Sequence, residues 1–468
     1  VTYAAAFLRL LVFPLVFSSV RPAHAEDLTS KFDQYMDASV KVDHFSGSVL
    51  VSRDGQVLFA KGYGLANREH NIPNTPSTKF RLGSITKQFT AMAIMILVDE
   101  GKIKVDDPVS KCLDNAPKTW DGVTIHHLLT HTSGIHNYTA DLDYVKKMTV
   151  PETVKSMIGR FKDKPLDFKP GEKFSYSNSG YFLLGAVIEH VSKMSYEEFL
   201  RRRIFEPLGM KDSGYDHPSK VLEHRASGYQ PNGDGFMNAS YLDMSQPYAA
   251  GSLYSTVLDL AKWDRALSDG KLISKEAYRK MYTTAKNDYA YGWGVMTISG
   301  RKRIGHGGGI NGFITQIVRY PDDKLCVIAL CNVVPNSPAK VANGLAAIAL
   351  GDPYRLPAEH KVAAVDPKIF DAYAGRYQIS SDRRADVIRE GARLFVELSG
   401  QPRQELFPES ETDFFLKTRD VQFRFLKGNE SRASQLILYY PGGEEKGQRI
   451  DKDEAKPEPA RAGKNKSS

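Results

Sequence analysis

The chain has 468 residues, 41% of them hydrophobic, more than one core usually organises, which predicts two folded units. Its formal charge of +8 is scattered except at Arg201-Arg202-Arg203 and in the polar tail, so no nucleic-acid partner is expected. The three cysteines form no disulfide framework: Cys326 and Cys331, five apart on one predicted strand, face opposite ways, and free buried thiols are the default.

In chain order, Arg9 precedes an apolar stretch over 10–20, and Ala23-His24-Ala25 offers a small-x-small cleavage site. This predicts a secretory leader over 1–25 and a periplasmic or secreted protein. The stretch is short and contains Pro14, so no stable membrane anchor is expected. Residues 47–64 read as a hairpin. Ser84-Ile85-Thr86-Lys87 then opens an apolar run over 85–98, a helix buried on all sides and stopped near Gly101.

Ser-x-x-Lys also occurs at Ser268, Ser299 and Ser337, but only Ser84 heads a buried helix, where free N–H groups favour developing negative charge. Lys87 shares a helix face with Ser84, and a buried ammonium is costly unless paired, solvated or used. The plain alternative is an N-cap serine beside a snorkelling lysine. A serine hydroxyl needs a neighbour to take its proton. Lys87 could do so if burial lowered its pKa, or could hold Tyr176 in a phenolate-like state.

Four histidines follow, at 126, 127, 131 and 136, around Leu128-Leu129-Thr130-His131-Thr132-Ser133-Gly134. No acidic or cysteine ligand completes a convincing set, so no metal site is expected. Tyr176-Ser177-Asn178 ends a turn-forming stretch before an apolar run over 181–191, which places Tyr176 on a loop held by a helix. An antiparallel meander is predicted from strands at 291–298, 303–306, 313–320 and 324–331. His306-Gly307-Gly308-Gly309 lies within it. The glycines permit close backbone approach, and an N–H there with that of Ser84 could form an oxyanion hole; the plain reading is a bulge.

Past residue 351 the texture changes. The expected organisation is a first domain over 26–352, a linker over 353–367, a domain over 368–450 and a disordered tail over 451–468. In 368–450, Leu394, Val396 and Leu398 share one face, as do Val421, Phe423 and Phe425. About eight short strands without a helix predict a small antiparallel β-barrel.

Ser-x-x-Lys, Tyr-x-Asn and His-x-Gly in this order resemble the penicillin-recognising serine hydrolases, in the class C β-lactamase-related branch that includes D-aminopeptidases, D-alanyl-D-alanine carboxypeptidases and esterases. Residues 47–64, 128–134 and 251–263 add to the likeness, which covers roughly residues 40 to 350. The resemblance implies an α/β fold with a β-lactamase/transpeptidase-like antiparallel sheet flanked by helices. It makes Ser84 the acylated nucleophile and Lys87 with Tyr176 the proton-transfer pair, leaving open which is the base. Asn178 would hold the acyl side of the substrate, Ser84 and Gly309 would supply the oxyanion hole, and His306 and Gly308 would line the substrate strand. No cofactor is implied, and the barrel looks like the lipocalin-like domain appended to some of these hydrolases.

One departure matters. β-lactamases and penicillin-binding proteins carry Lys-Thr-Gly where this chain has His306-Gly307-Gly308. A histidine is often uncharged near neutral pH, which argues against binding a substrate carboxylate. The expectation is therefore a secreted or periplasmic serine hydrolase of an ester or peptide bond, D-amino-acid bonds included. The rival in the same class is a β-lactamase or D,D-carboxypeptidase; the rival of another class is a non-catalytic binder of cell-wall fragments.

Overall fold

The computed structural model describes residues 23–450 except 233–234, 299, 358–359, 381–382, 400, 402, 418–420, 429–431 and 441–442. The expected leader, up to residue 22, and the expected tail over 451–468 lie outside the described residues.

Six strands form one antiparallel sheet in the order Gly294–Ile298, Arg301–Ile310, Phe313–Tyr320, Leu325–Cys331, Gly47–Arg53 and Gln56–Tyr63. The predicted meander and hairpin thus meet in one sheet. Leu325–Cys331 is central and wholly buried, which is why it reads as an unbroken apolar run. Its side chains alternate between two cores. Cys326, Ile328 and Leu330 pack with the helices Thr86–Asp99, Asn178–Ser192 and Val257–Asp269. Leu325, Val327, Ala329 and Cys331 pack with Ala23–Asp43 and Pro338–Leu350 on the other face. The two strand cysteines therefore do face opposite ways, and both are free thiols.

Two strands differ from expectation. The first starts at Gly294, because Gly292 turns at φ +76° against the Lys87 carbonyl, leaving Tyr291 and Trp293 in the core. The second is longer than predicted. Gly307, Gly308 and Gly309 pair in regular register with Gln316, Thr315 and Ile314, so they are strand residues and not a bulge.

The C-terminal unit is a closed eight-stranded barrel running from Gly375–Gln378 to Gly443–Arg449, closed by pairing of Tyr377 with Arg449. Leu394, Val396, Leu398, Phe423 and Phe425 point inward, with Val421 partly buried against them. Aromatic side chains fill the interior: Tyr373 stacks on Phe425 at 4.5 Å, and Phe414 meets Phe425 edge-on at 5.5 Å. A one-turn helix, Phe370–Tyr373, precedes the first strand, where no helix was expected. Asp366 caps the 3-10 turn Pro367–Ile369 that leads into it by accepting the Lys368 N–H, so the Asp-Pro pair read as linker is also a helix-start signal.

Since Phe425 is fully buried in a core separate from the sheet's, Phe425→Ala is expected to destabilise the barrel by about 3–5 kcal/mol. Calorimetry should show the barrel transition lowered and that of the larger unit in place. A joint shift of both transitions would contradict this.

Candidate active site

Ser84 lies in a 3-10 turn, Gly83–Ile85, that leads directly into the helix Thr86–Asp99. Expectation placed it at the helix head itself; the tighter turn arises because Gly83 takes φ +54° to pass the strand Arg301–Ile310. A Cβ on Gly83 would lie 2.9 Å from the Gly309 nitrogen, and one on Gly308 would lie 1.9 Å from the Leu82 carbonyl oxygen. Pairing of that strand with Gly294–Ile298 stops at Gly305, whereas pairing on its other side continues to Ile310. Residues 306–310 therefore present a free edge to the Ser84 turn. Gly309 is exposed, and a Cβ there would meet nothing within 4 Å.

The helix after Ser84 is buried all round, yet its first turns carry Thr86, Lys87, Gln88 and Thr90. Each is answered. Thr86 Oγ1 accepts the Leu253 N–H, Thr90 Oγ1 donates to the Ala249 carbonyl, and Gln88 Oε1 accepts from Trp263 Nε1. This docks residues 249–253 along the helix and brings the Ala250 carbonyl to Lys87.

Lys87 is fully buried. Its Nζ lies 3.0 Å from Ser84 Oγ, 2.9 Å from Asn178 Oδ1 and 2.8 Å from the Ala250 carbonyl oxygen. No carboxylate pairs with it among the described residues, and burial holds its pKa well below the usual lysine range. All three partners are neutral: as a free amine, Nζ would give its two N–H groups to the two carbonyl acceptors and turn its lone pair to the Ser84 hydroxyl. Asn178 Nδ2 donates to Thr139 Oγ1 at 3.2 Å, which turns Oδ1 toward Lys87. Asn137 Oδ1 accepts both the Asn178 N–H and the Thr139 hydroxyl, each at 3.1 Å.

Tyr176 sits just before the helix Asn178–Ser192, as expected, with Ser177 as N-cap. The residue is 37% exposed, but its hydroxyl end is buried on the side of Ser84. Burial at that hydroxyl pushes the phenol above its ordinary pKa. Lys87 Nζ lies 4.9 Å from the Tyr176 ring centroid.

His306 is half-buried, with both nitrogens turned into the protein. Nδ1 donates to the Gly307 carbonyl at 2.6 Å, and Nε2 accepts from the Tyr289 hydroxyl at 2.9 Å, an assignment forced because the carbonyl can only accept. Burial and the neighbouring Lys87 push its pKa down to about 4. His306 therefore presents a neutral ring and no free N–H.

The structure thus brings Ser84, Lys87, Tyr176 and Asn178 into contact, with Gly308, Gly309 and His306 on the facing strand. The histidine cluster disperses. His126 Nδ1 bonds the Tyr291 hydroxyl, His127 Nδ1 accepts the Thr124 N–H, and His136 lies between Asp141 and Asp167. Among the described residues no group of three or more His, Cys, Asp or Glu stands at metal-binding spacing. Sequence reading missed Asn137, Thr139, Tyr289 and the Ala250 carbonyl. A backbone carbonyl leaves no residue-type signal, and the other three are joined to the site only by the fold.

A family model described as Beta-lactamase matches residues 28–351, and one described as Domain of unknown function (DUF3471) matches residues 359–452. Penicillin-binding protein 4* of Bacillus subtilis (strain 168) is 34% identical over 434 residues, covering 86% of this chain and 94% of the relative. Teichoic acid D-alanine hydrolase of Staphylococcus aureus (strain NCTC 8325 / PS 47) is 30% identical over 317 residues, covering 66% and 75%. The structure of the octameric penicillin-binding protein homologue from Pyrococcus abyssi aligns with a TM-score of 0.64 at 30% identity, over 89% of this chain and 99% of that one. With one family model spanning both faces of the sheet and the turn that carries Ser84, the chain belongs to the beta-lactamase family and is a serine hydrolase.

Proposed function

We propose that Ser84 is the nucleophile of an acyl-transfer reaction and that Lys87, as a free amine, is its base. The observation that carries this is the buried Lys87 Nζ, 3.0 Å from Ser84 Oγ with no carboxylate among the described residues to hold it charged. Ser84 Oγ gives its proton to the Nζ lone pair as it bonds to the substrate carbonyl carbon. The resulting ammonium keeps its bonds to Asn178 and Ala250. The oxyanion is received by the N–H groups of Ser84 and Gly309, which the Gly83 and Gly308 contacts hold close together. Tyr176, kept as a neutral phenol by burial, passes a proton to the leaving group. Water then takes the reverse path and releases the acyl group from Ser84.

The substrate we infer is an ester or amide of a small acyl group, with a D-amino acid favoured. A neutral His306 provides no positive charge for a substrate carboxylate, unlike the lysine of β-lactamases. Teichoic acid D-alanine hydrolase, one of the relatives, is named for such a bond. A secreted or periplasmic location fits the sequence's leader pattern; among the described residues no helix is long and apolar enough to cross a membrane. A second reading, acylation of Ser84 by penicillins, is favoured by the name of Penicillin-binding protein 4*.

Two experiments test this. Wild-type protein and Ser84→Ala are compared on a short-chain p-nitrophenyl ester, D- and L-alanyl p-nitroanilides and a chromogenic cephalosporin. Turnover of the ester and the D-anilide that disappears in the variant is expected; the cephalosporin as best substrate would favour the second reading, and turnover that survives in Ser84→Ala would rule out the nucleophile.

The second is the pH profile of kcat/KM. The active form carries Lys87 unprotonated, so activity rises with pH through the lowered Lys87 pKa and the alkaline side falls only as Tyr176 loses its proton. Burial and Lys87 push the His306 pKa down to about 4, and its ring is not the base in this mechanism, so His306→Gln should leave the midpoint in place. A limb that moves with His306 would assign the titrating base there instead.

A further inference from the structure

Tyr176 lies on a loop, is 37% exposed, and its ring meets Tyr289 and His306 only at 6.4 and 6.3 Å between centroids, so the backbone on either side of it matters to where its hydroxyl points. One residue holds that backbone on both sides. The His131 carbonyl accepts the Ser175 N–H at 2.8 Å, and His131 Nδ1 accepts the Ser177 N–H at 3.1 Å. Between those two bonds the His131 ring lies 4.2 Å from the Tyr176 ring, centroid to centroid. The backbone is thus held on both sides of Tyr176, and the inner face of its ring is backed by the imidazole.

The arrangement is retained at a cost. His131 adopts φ +56°, a left-handed conformation that disfavours residues other than glycine. It is 1% exposed, and its Nε2 has no hydrogen-bond partner among the described residues. That nitrogen must carry the proton, because Nδ1 is the acceptor for Ser177. The ring packs among Phe174, Tyr181 and Tyr289, with centroids at 5.8, 5.0 and 4.7 Å. Burial, reinforced by Lys87 and His306, lowers its basicity well below the ordinary histidine range, so Nδ1 keeps its lone pair. Strain together with an unpartnered buried N–H marks a residue kept for more than packing.

We propose that His131 is a positioning residue that fixes the backbone on either side of Tyr176 and so aims the phenol hydroxyl at Ser84. This rests on the proton-transfer role given to Tyr176 above. The histidine itself touches neither substrate nor Ser84.

The test exploits geometry. Asparagine places its Oδ1 where histidine has Nδ1 and tolerates a positive φ, whereas glutamine carries its acceptor one bond too far and phenylalanine keeps a ring with no acceptor. His131→Gln and His131→Phe should lower kcat on the p-nitrophenyl ester about tenfold or more, with KM changed by less than about twofold, as a displaced catalytic group does. His131→Asn should recover kcat to within about threefold of wild type. If the phenylalanine variant fails to fold, the asparagine and glutamine pair carries the comparison, since a merely structural polar role would treat the two alike. Wild-type kcat in His131→Gln, or an asparagine variant no better than the glutamine one, would overturn the proposal. Tyr176→Phe measured alongside separates the two claims. Wild-type kcat there removes the role of Tyr176 itself; a low kcat there with unaffected His131→Gln removes only the role of His131.

Discussion

The Lys87 amine, buried with no counter-ion among the described residues, is the constraint on which the site depends. Desolvation disfavours the ammonium, so Lys87 is driven toward the state in which its nitrogen can accept a proton. A carboxylate beside it would make the helix more comfortable and the amine useless as a base. The fold solves the remaining problem, satisfying two N–H groups, with neutral acceptors only: a side-chain amide and a backbone carbonyl. Both acceptors are themselves held, Asn178 by Asn137 and Thr139, and Ala250 by the docking of residues 249–253 against Thr86 and Thr90.

Around that amine the other groups are kept neutral as well. His131 and His306 are both lowered by burial and by Lys87, and the tyrosines nearby are raised by burial. The result is a centre with little fixed charge; under the proposed mechanism, charge created at Ser84 would meet oriented N–H groups. A centre of that kind would suit uncharged carbonyl substrates better than ones recognised by a carboxylate. The glycine edge at 306–310 contributes by letting the Ser84 turn approach the strand more closely than any side chain would allow.

Much of this was legible in the sequence because it was local. The Ser84 helix, the Tyr176 loop ahead of its helix, and the meander follow from apolar periodicity and turn residues within windows of ten to fifteen positions. The alternation of Leu394, Val396 and Leu398 likewise revealed the barrel. The extent of the glycine strand was not legible, since three glycines have low strand propensity and only pairing with Phe313–Tyr320 holds them extended. The Phe370–Tyr373 turn was missed because Asp-Pro signals a linker and a helix start alike. At the site, what was hidden is what tertiary contact creates: Lys87 meets Ala250 across 163 positions, and His131 meets Ser177 across 46. His131 stood in a stretch that reads as structural, and its clasp on Tyr176 depends on a left-handed backbone that no residue-type pattern announces.

The most direct measurement is the ionisation of Lys87 itself. Protein labelled with carbon-13 at lysine Cε, with the Lys87 resonance identified by its loss in Lys87→Arg, can be titrated by NMR across the stable pH range. A midpoint well below the ordinary lysine value, as desolvation without an anion demands, is the expected result. A midpoint near the ordinary lysine value of 10.5 would mean that Lys87 is an ammonium at rest, and the assignment of the base would fail.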